Sequence, residues 1–313
     1  MRARWTILFS SIPLLWFVRA GVSQDPAARP ETVVATADSR ESAGAIRFFA
    51  LGDTGTGGEE QYQVGRAIAE HCRAVGCDFG VLLGDNFYPA GVTSTTDSQW
   101  DQKFERPYTD LLAAGISFYA VLGNHDVDEG RDFGRAAHQV AYGQVNSKWI
   151  MPARHYTFEA GEAVFIALDT EAIVVNHERA VAVQGDFVRR TLGANEKPWV
   201  IAFGHHPYRS NGKNGNAGDR LGRFFEENLC ERADLYLAGH DHNLQVLQSP
   251  GCKPLLVVSG GGGYGTYSLQ EANPSRFQER SHGFVFVTVS GDKLGVQALD
   301  AKGNALFTHE VSR

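Results

Sequence analysis

Five short stretches of this chain carry the residue types that hold metal ions and move protons. They are Gly52-Asp53-Thr54-Gly55, Gly84-Asp85-Asn86-Phe87-Tyr88, Gly123-Asn124-His125-Asp126, Gly204-His205-His206-Pro207 and Gly239-His240-Asp241-His242-Asn243. In each, a polar residue follows a glycine that lets the backbone turn sharply. Asp85 could bridge two ions through its two oxygens, and Tyr88, three residues on, could bring a phenolate to one of them. Carboxylate and amide oxygens mixed with imidazole nitrogens suit Fe, Mn or Zn and argue against Ca. Seven donors (Asp53, Asp85, Tyr88, Asn124, His205, His240 and His242) with one carboxylate shared would give each of two ions four protein ligands. Positions then stay open for water and substrate, as a catalytic metal site requires. Singly, a Gly-Asp or Gly-His pair is more often turn or capping chemistry. His240-Asp241-His242 says more, because alternate residues of an extended segment point the same way. The joint occurrence of all five reverses those odds.

Each stretch ends a run that reads as a buried strand, where open α/β sheets gather ligands. The strands are Ile46–Leu51, Phe79–Leu83, Ile116–Leu122, Trp199–Phe203 and Asp234–Ala238. Helical spacing fills the intervals over Glu59–Val75, with Val64, Ile68 and Cys72 on one face, and over 98–114, 133–142, 178–192 and 220–232. Tyr156–Glu159 and Ala163–Leu168 are joined by Ala160-Gly161-Glu162 and read as a hairpin. The last third is mostly strand: Leu255–Ser259, Phe284–Val289, Leu294–Leu299 and Leu306–Val311. One α/β domain with two packed sheets and helices outside accommodates this order. We place it at 46–313, after a lead-in over 24–45 that lacks apolar periodicity.

Composition narrows the function classes. The chain has 313 residues, 43% hydrophobic and 21% charged, with net charge −7. The sequence pI is about 5.9, so no basic stripe points to nucleic acid, and any anion must be bound locally. Arg2 and Arg4 precede an apolar run from Thr6 to Val18, and Gly21-Val22-Ser23 offers small residues for cleavage. Residues 1–23 therefore read as an export signal, with an uncleaved anchor as the alternative. The run is short against the roughly 20 apolar residues needed to span a bilayer, so stable membrane insertion is not expected. Export to a periplasm or the extracellular space suits the four cysteines, which we pair as Cys72–Cys77 and Cys230–Cys252 because each closes a short loop. Four buried free thiols are the alternative.

In this order the five motifs resemble those of calcineurin-like metallophosphoesterases, and the tyrosine three residues after the second aspartate is similar to that of purple acid phosphatases. The resemblance runs from about Ile46 to Leu299 and is to the small, single-domain, tartrate-resistant type. It implies a four-layer αββα sandwich of two mixed sheets flanked by helices, and a monomeric exported acid phosphatase. The substrate would be a phosphate-ester small molecule or phosphoprotein, attacked by a hydroxide made at an Fe(III)–M(II) centre, with M being Fe, Zn or Mn. By the same resemblance Asp53, Tyr88 and His242 hold the ferric ion, Asn124, His205 and His240 the divalent one, and Asp85 bridges. His125 contacts the phosphate and assists the leaving group. One position departs: where the family has a second catalytic histidine, this chain has Asn214, which can hydrogen-bond phosphate but cannot protonate a leaving group. His206 and Lys213 lie nearby without matching that position. A phosphodiesterase or nucleotide hydrolase with the same centre, or a metal-binding protein without activity, are the competing readings. Gly260–Gly263 with Tyr264 reads as a mobile turn rather than a substrate-facing loop, and Asp169 as a capping residue or a support behind the site.

Overall fold

Phe48 and Phe49 are neighbours in sequence, yet a strand sends them to opposite faces, and both are fully buried. That demand for cover on two sides explains the layering. In the computed structural model, which describes residues 45–313, β1 (Ala45–Leu51) is followed by α1 (Glu59–Val75) and β2 (Phe79–Leu82). Then come α2 (Thr109–Ala113), β3 (Ser117–Ala120), α3 (Gly134–Tyr142) and the two-residue β4 (Trp149–Ile150). The hairpin β5 (Tyr156–Ala160) and β6 (Ala163–Ala167) leads through α4 (Thr170–Val175) and α5 (Ala180–Ala194) to β7 (Trp199–Phe203). After α6 (Asp219–Asn228) the chain is strand: β8 (Leu235–Ala238), β9 (Leu244–Gln248), β10 (Leu255–Ser259) and β11 (Ser275–Glu279). It closes with β12 (Gly283–Ser290), β13 (Lys293–Asp300) and β14 (Ala305–Ser312). The export signal expected over 1–23 and all but the last residue of the lead-in expected over 24–45 lie outside the described residues.

The strands form two seven-stranded mixed sheets, ordered β14-β13-β12-β1-β2-β3-β4 and β11-β9-β10-β8-β7-β6-β5. Aromatic rings fill the space between them: Phe48 lies 5.3 Å from Phe165, Phe79 5.8 Å from Phe158, and Tyr119 stacks on Phe158 at 3.7 Å. Outside the first sheet, His71 of α1 meets Phe286 of β12 at 4.5 Å. Outside the second, Val164, Ile166, Val200 and Ala202 pack with Phe187, Phe224 and Phe225 of α5 and α6. Strands covered on both faces are apolar throughout rather than alternating. The expected sandwich of two mixed sheets flanked by helices is therefore present, and it fixes where the site falls. Strands β1, β2 and β3 run parallel in one sheet, and β7 and β8 run parallel in the other. Their carboxyl ends thus gather at one edge of each sheet.

Both disulfides form as paired from the sequence, Cys72–Cys77 and Cys230–Cys252, leaving no free cysteine among the described residues. Other readings need correction. The helix expected over 178–192 is preceded by α4, and the two are separated by left-handed turns at Asn176, Glu178 and Arg179. Strands β4, β9 and β11 were not anticipated. Asp169 caps α4, accepting from the Ala172 N–H at 3.0 Å, and pairs with Arg154 at 2.6 Å.

Candidate metal centre

The sequence suggested that the motif glycines turn the chain. In the structure Gly84 does so with φ of 86°, and elsewhere the polar residues turn it too, since Asp53, Asp85 and His240 adopt φ of 59°, 53° and 68°. Such left-handed backbone costs a non-glycine residue on the order of 1–3 kcal/mol and persists where the surroundings over-determine it. The glycines also permit close approach. A Cβ on Gly239 would lie 2.7 Å from Asp53 Oδ2, and one on Gly52 would lie 3.1 Å from Gly239 Cα, so tips of opposite sheets touch.

All seven expected donors meet there, and most are buried: Asp53, Asp85, Tyr88, His205 and His242 lie almost wholly out of water. Tyr88 Oη lies 2.8 Å from Asp85 Oδ2, 3.2 Å from Asp53 Oδ1 and 3.3 Å from His242 Nε2. Beside this group, His205 Nε2 lies 3.1 Å from both Asn124 Oδ1 and His240 Nδ1, and 3.5 Å from Asp85 Oδ2. Asp85 Oδ2 thus borders both groups, while Oδ1 accepts the His125 N–H at 2.9 Å. One oxygen, rather than two, faces both halves of the cluster.

Imidazole orientation follows from the partners. His205 Nδ1 faces the Leu83 carbonyl at 2.9 Å and His242 Nδ1 faces the Gly265 carbonyl at 2.8 Å. A carbonyl only accepts, so each Nδ1 carries hydrogen and each Nε2 is directed into the cluster, the arrangement typical of metal-ligating histidine. Metal–ligand bonds of about 2.0–2.2 Å, at angles from about 90° to tetrahedral, place adjacent donors about 2.8–3.5 Å apart. The separations above match, so the residues fit a pair of cations.

The charges point the same way. Burial, then the carboxylates of Asp53 and Asp85, drive the Tyr88 phenol far above its usual range. Burial lowers His205 and His242, but Asp85 and the Asp53 contact respectively outweigh it, and both end raised. Burial and the neighbouring His205 push His240 down to about 3. In the metal-free chain the cluster thus favours protons on His205, His242 and Tyr88, as it would favour cations.

Around the donors lie residues with other tasks. His125 stacks against Tyr88 at 4.5 Å, and its Nδ1 faces the Pro89 carbonyl at 2.7 Å. His206 is buried behind His240, with ring centroids 4.4 Å apart. Thr170 Oγ1 accepts the N–H groups of His205 and His206 and so turns its hydroxyl hydrogen to His206 Nδ1 at 3.0 Å. That leaves His206 Nε2–H facing Glu171 Oε2 at 3.5 Å, and burial raises the Glu171 carboxyl to about 7. Asn214 is exposed and donates its side-chain amide to the His240 carbonyl at 2.8 Å, bracing the fifth motif.

Sequence reasoning missed two features. Asp126 is fully buried and gathers four N–H donors from the second and third motifs: Asn86 N and Nδ2, Phe87 N and Gly123 N. Its place directly after His125 gave a position but no partner. The Gly260–Tyr264 stretch, expected as a mobile turn, is bonded into the site: Gly262 N–H donates to Gly52 O at 3.1 Å and Tyr264 N–H to Asp53 O at 3.0 Å.

Two facing sheets whose strand tips bring carboxylates and imidazoles to one cluster define a calcineurin-like phosphoesterase. Residues 46–244 match that family, and the chain belongs to it, hence to the phosphoric-ester hydrolases. Its sequence is similar to tartrate-resistant acid phosphatase type 5 of Sus scrofa, 26% identical over 303 residues covering 86% of this chain and 87% of the relative. Purple acid phosphatase 3 of Arabidopsis thaliana is 28% identical over 285 residues, covering 84% and 76%. Among solved structures the fold resembles purple acid phosphatase PPD1 from yellow lupin seeds, with a TM-score of 0.65 at 16% identity, covering 86% of this chain and 54% of that one. It also resembles GAP50, the anchor in the inner membrane complex of Plasmodium, with a TM-score of 0.71 at 23% identity, covering 86% and 89%.

Proposed function

We propose that the chain is an exported acid phosphatase acting on phosphate monoesters with an Fe(III)–M(II) centre, M being Fe, Zn or Mn. Asp53, Tyr88 and His242 would hold the ferric ion, Asn124, His205 and His240 the divalent ion, and Asp85 both. The observation that carries this reading is the convergence of seven donor side chains on one cluster, with His205 and His242 each presenting Nε2 inward. When bound, such a pair neutralises phosphate charge and activates water near neutral or acidic pH.

The chain's own residues would do the rest. Asp85 Oδ1 accepts the His125 N–H, so Oδ2 keeps its aim between Tyr88 and His205. His125 binds the Pro89 carbonyl through Nδ1–H, so the proton it exchanges with the leaving oxygen sits on Nε2. Such proton transfer contributes roughly 10²–10⁴ in rate. Asn214 spends its amide on His240 O, so leaving-group protonation falls to His125 rather than to a pair of histidines. Monoesters with good leaving groups should accordingly be the better substrates. Two disulfides support export, since such bonds persist in oxidising compartments. No helix of the described residues is long and apolar enough to cross a membrane.

Metal analysis with a visible spectrum, alongside turnover of paired aryl monoesters and diesters, tests the reading. Iron with a second metal, a phenolate-to-ferric band lost in Tyr88→Phe, and preference for the monoester are expected. A colourless active protein holding only zinc or manganese would remove iron, and a metal-loaded protein inert to every activated ester would remove the phosphatase.

A further inference from the structure

Among the described aromatic side chains Tyr264 alone is exposed, at 40%, and it stands on the wall of the donor cluster. Its ring lies 4.3 Å from that of Tyr88, tilted by 32°, and 5.1 Å from that of His242. Tyr267, three residues on, is already engaged: it stacks on His242 at 3.9 Å and has Lys213 Nζ 4.7 Å from its ring centre. Tyr264 meets the rings of Tyr88 and His242 and keeps 40% of its surface open to solvent.

The loop holding Tyr264 is fixed to the residues of the centre. Tyr264 N–H donates to Asp53 O at 3.0 Å, Tyr267 N–H to His242 O at 2.9 Å, and His242 Nδ1–H to Gly265 O at 2.8 Å. The glycines bring it close. A Cβ on Gly260 or Gly262 would strike the Asp241 or Gly52 carbonyl, and one on Gly263 would lie 2.8 Å from Gln61 Cβ. Leaving 40% of a large side chain in water forgoes a corresponding part of the roughly 1.5–3 kcal/mol that full burial contributes. Here a tightly anchored loop holds that ring beside two donor residues, its centre 4.3 Å from that of Tyr88 and 5.1 Å from that of His242.

We propose that Tyr264 is a platform for an aromatic ring carried by the alcohol part of the phosphate ester, so that this chain selects esters of aromatic-bearing alcohols. The inference rests on the phosphoesterase reading. With the phosphate at the donor cluster, an organic group that extends past Tyr88 and His242 meets the exposed part of the Tyr264 ring. There an offset stack at about 4.5–7 Å between ring centres forms.

Benzyl phosphate and cyclohexylmethyl phosphate both expel a primary alkoxide and carry rings of similar size, so their ratio of kcat/KM isolates aromaticity. The wild-type ratio should be about twofold to tenfold in favour of benzyl, the fold-change a ring pair adds beyond buried area. Tyr264→Ala should bring the ratio near one, and Tyr264→Phe should retain it. Equilibrium binding of benzylphosphonate and cyclohexylmethylphosphonate to the metal-loaded protein repeats the comparison without turnover. A wild-type ratio near one, a preference that survives Tyr264→Ala, or no binding of either phosphonate overturns the platform. A protein that hydrolyses neither ester nor 4-nitrophenyl phosphate, yet binds benzylphosphonate preferentially through Tyr264, sinks the hydrolase reading and keeps the platform.

Discussion

Asp126→Asn is the substitution whose cost can be worked most closely. The carboxylate's Oδ2 accepts from Gly123 N at 2.9 Å, Asn86 N at 3.1 Å and Asn86 Nδ2 at 3.2 Å, while Oδ1 accepts from Phe87 N at 3.0 Å. An asparagine can place its oxygen at the Oδ2 position and keep three donors, with its NH₂ opposed to the Phe87 N–H. The reverse orientation strands three donors, so the first wins. One buried orphan donor costs about 1–3 kcal/mol. Burial and the Asp85 charge push the Asp126 carboxyl up to about 7. The unfolded chain therefore ionises first, and wild type loses stability relative to the variant as pH rises from about 4 to 7. The penalty should shrink across that window. Asp126 also ties the loop of Asp85 and Tyr88 to that of Asn124 and His125, and a shift of about 1 Å there can cost on the order of 10²-fold in rate. Urea unfolding of the metal-free chain at pH 5 and pH 8, with kcat on 4-nitrophenyl phosphate for the loaded one, measures both effects. An Asp126→Asn protein whose difference in stability from wild type is the same at pH 5 and pH 8, with unchanged kcat, would refute the clamp.

Two further outcomes follow from the charges. Metal loading near neutral pH should release the Tyr88 proton and any that the raised His205 and His242 imidazoles carry, read as a binding enthalpy that varies with the buffer's ionisation heat. Buffer independence would contradict the protonated metal-free cluster. His155, packed on Phe187 at 5.1 Å, is lowered by burial to about 4. Its folded pKa lies below the unfolded value of about 6.5, so the unfolded chain takes the proton first and stability falls by up to about 3 kcal/mol as pH drops from 6.5 to 4. His155→Phe in chelator-treated protein should flatten that slope, and an unchanged slope would place the acid sensitivity elsewhere.

Much of the fold was legible because both period and punctuation were strong. Glu59–Val75 emerged as α1 with its expected bounds, and the apolar runs before Gly52, Gly84, Gly123, Gly204 and Gly239 became the strands that deliver the site. The missed elements had weak local signals. Strand β11, Ser-Arg-Phe-Gln-Glu, is an edge strand with no apolar alternation, and α4 is built partly of β-branched Ile173, Val174 and Val175, which favour strand. The seven candidate donors could be named because each sits in one of the five motifs, two of which supply a pair. The grip of Asp126 on Asn86, Phe87 and Gly123 could not, because it depends on which loops meet. The Gly260–Tyr264 stretch failed as a mobile turn for the same reason: glycine runs read alike whether they permit motion or close packing.

Asp53, Asp85, Tyr88 and Asn124 follow β1, β2 and β3, whereas His205, His240 and His242 follow β7 and β8. Every oxygen donor thus belongs to one half of the sandwich and every nitrogen donor to the other. Hardness and softness of the coordination sphere can be altered independently by changing loops on a single side. A bound pair of ions would also work as a rivet between the halves, so whatever loosens their mutual seating, however remote from the ions, is felt first as a change in the gap they must span.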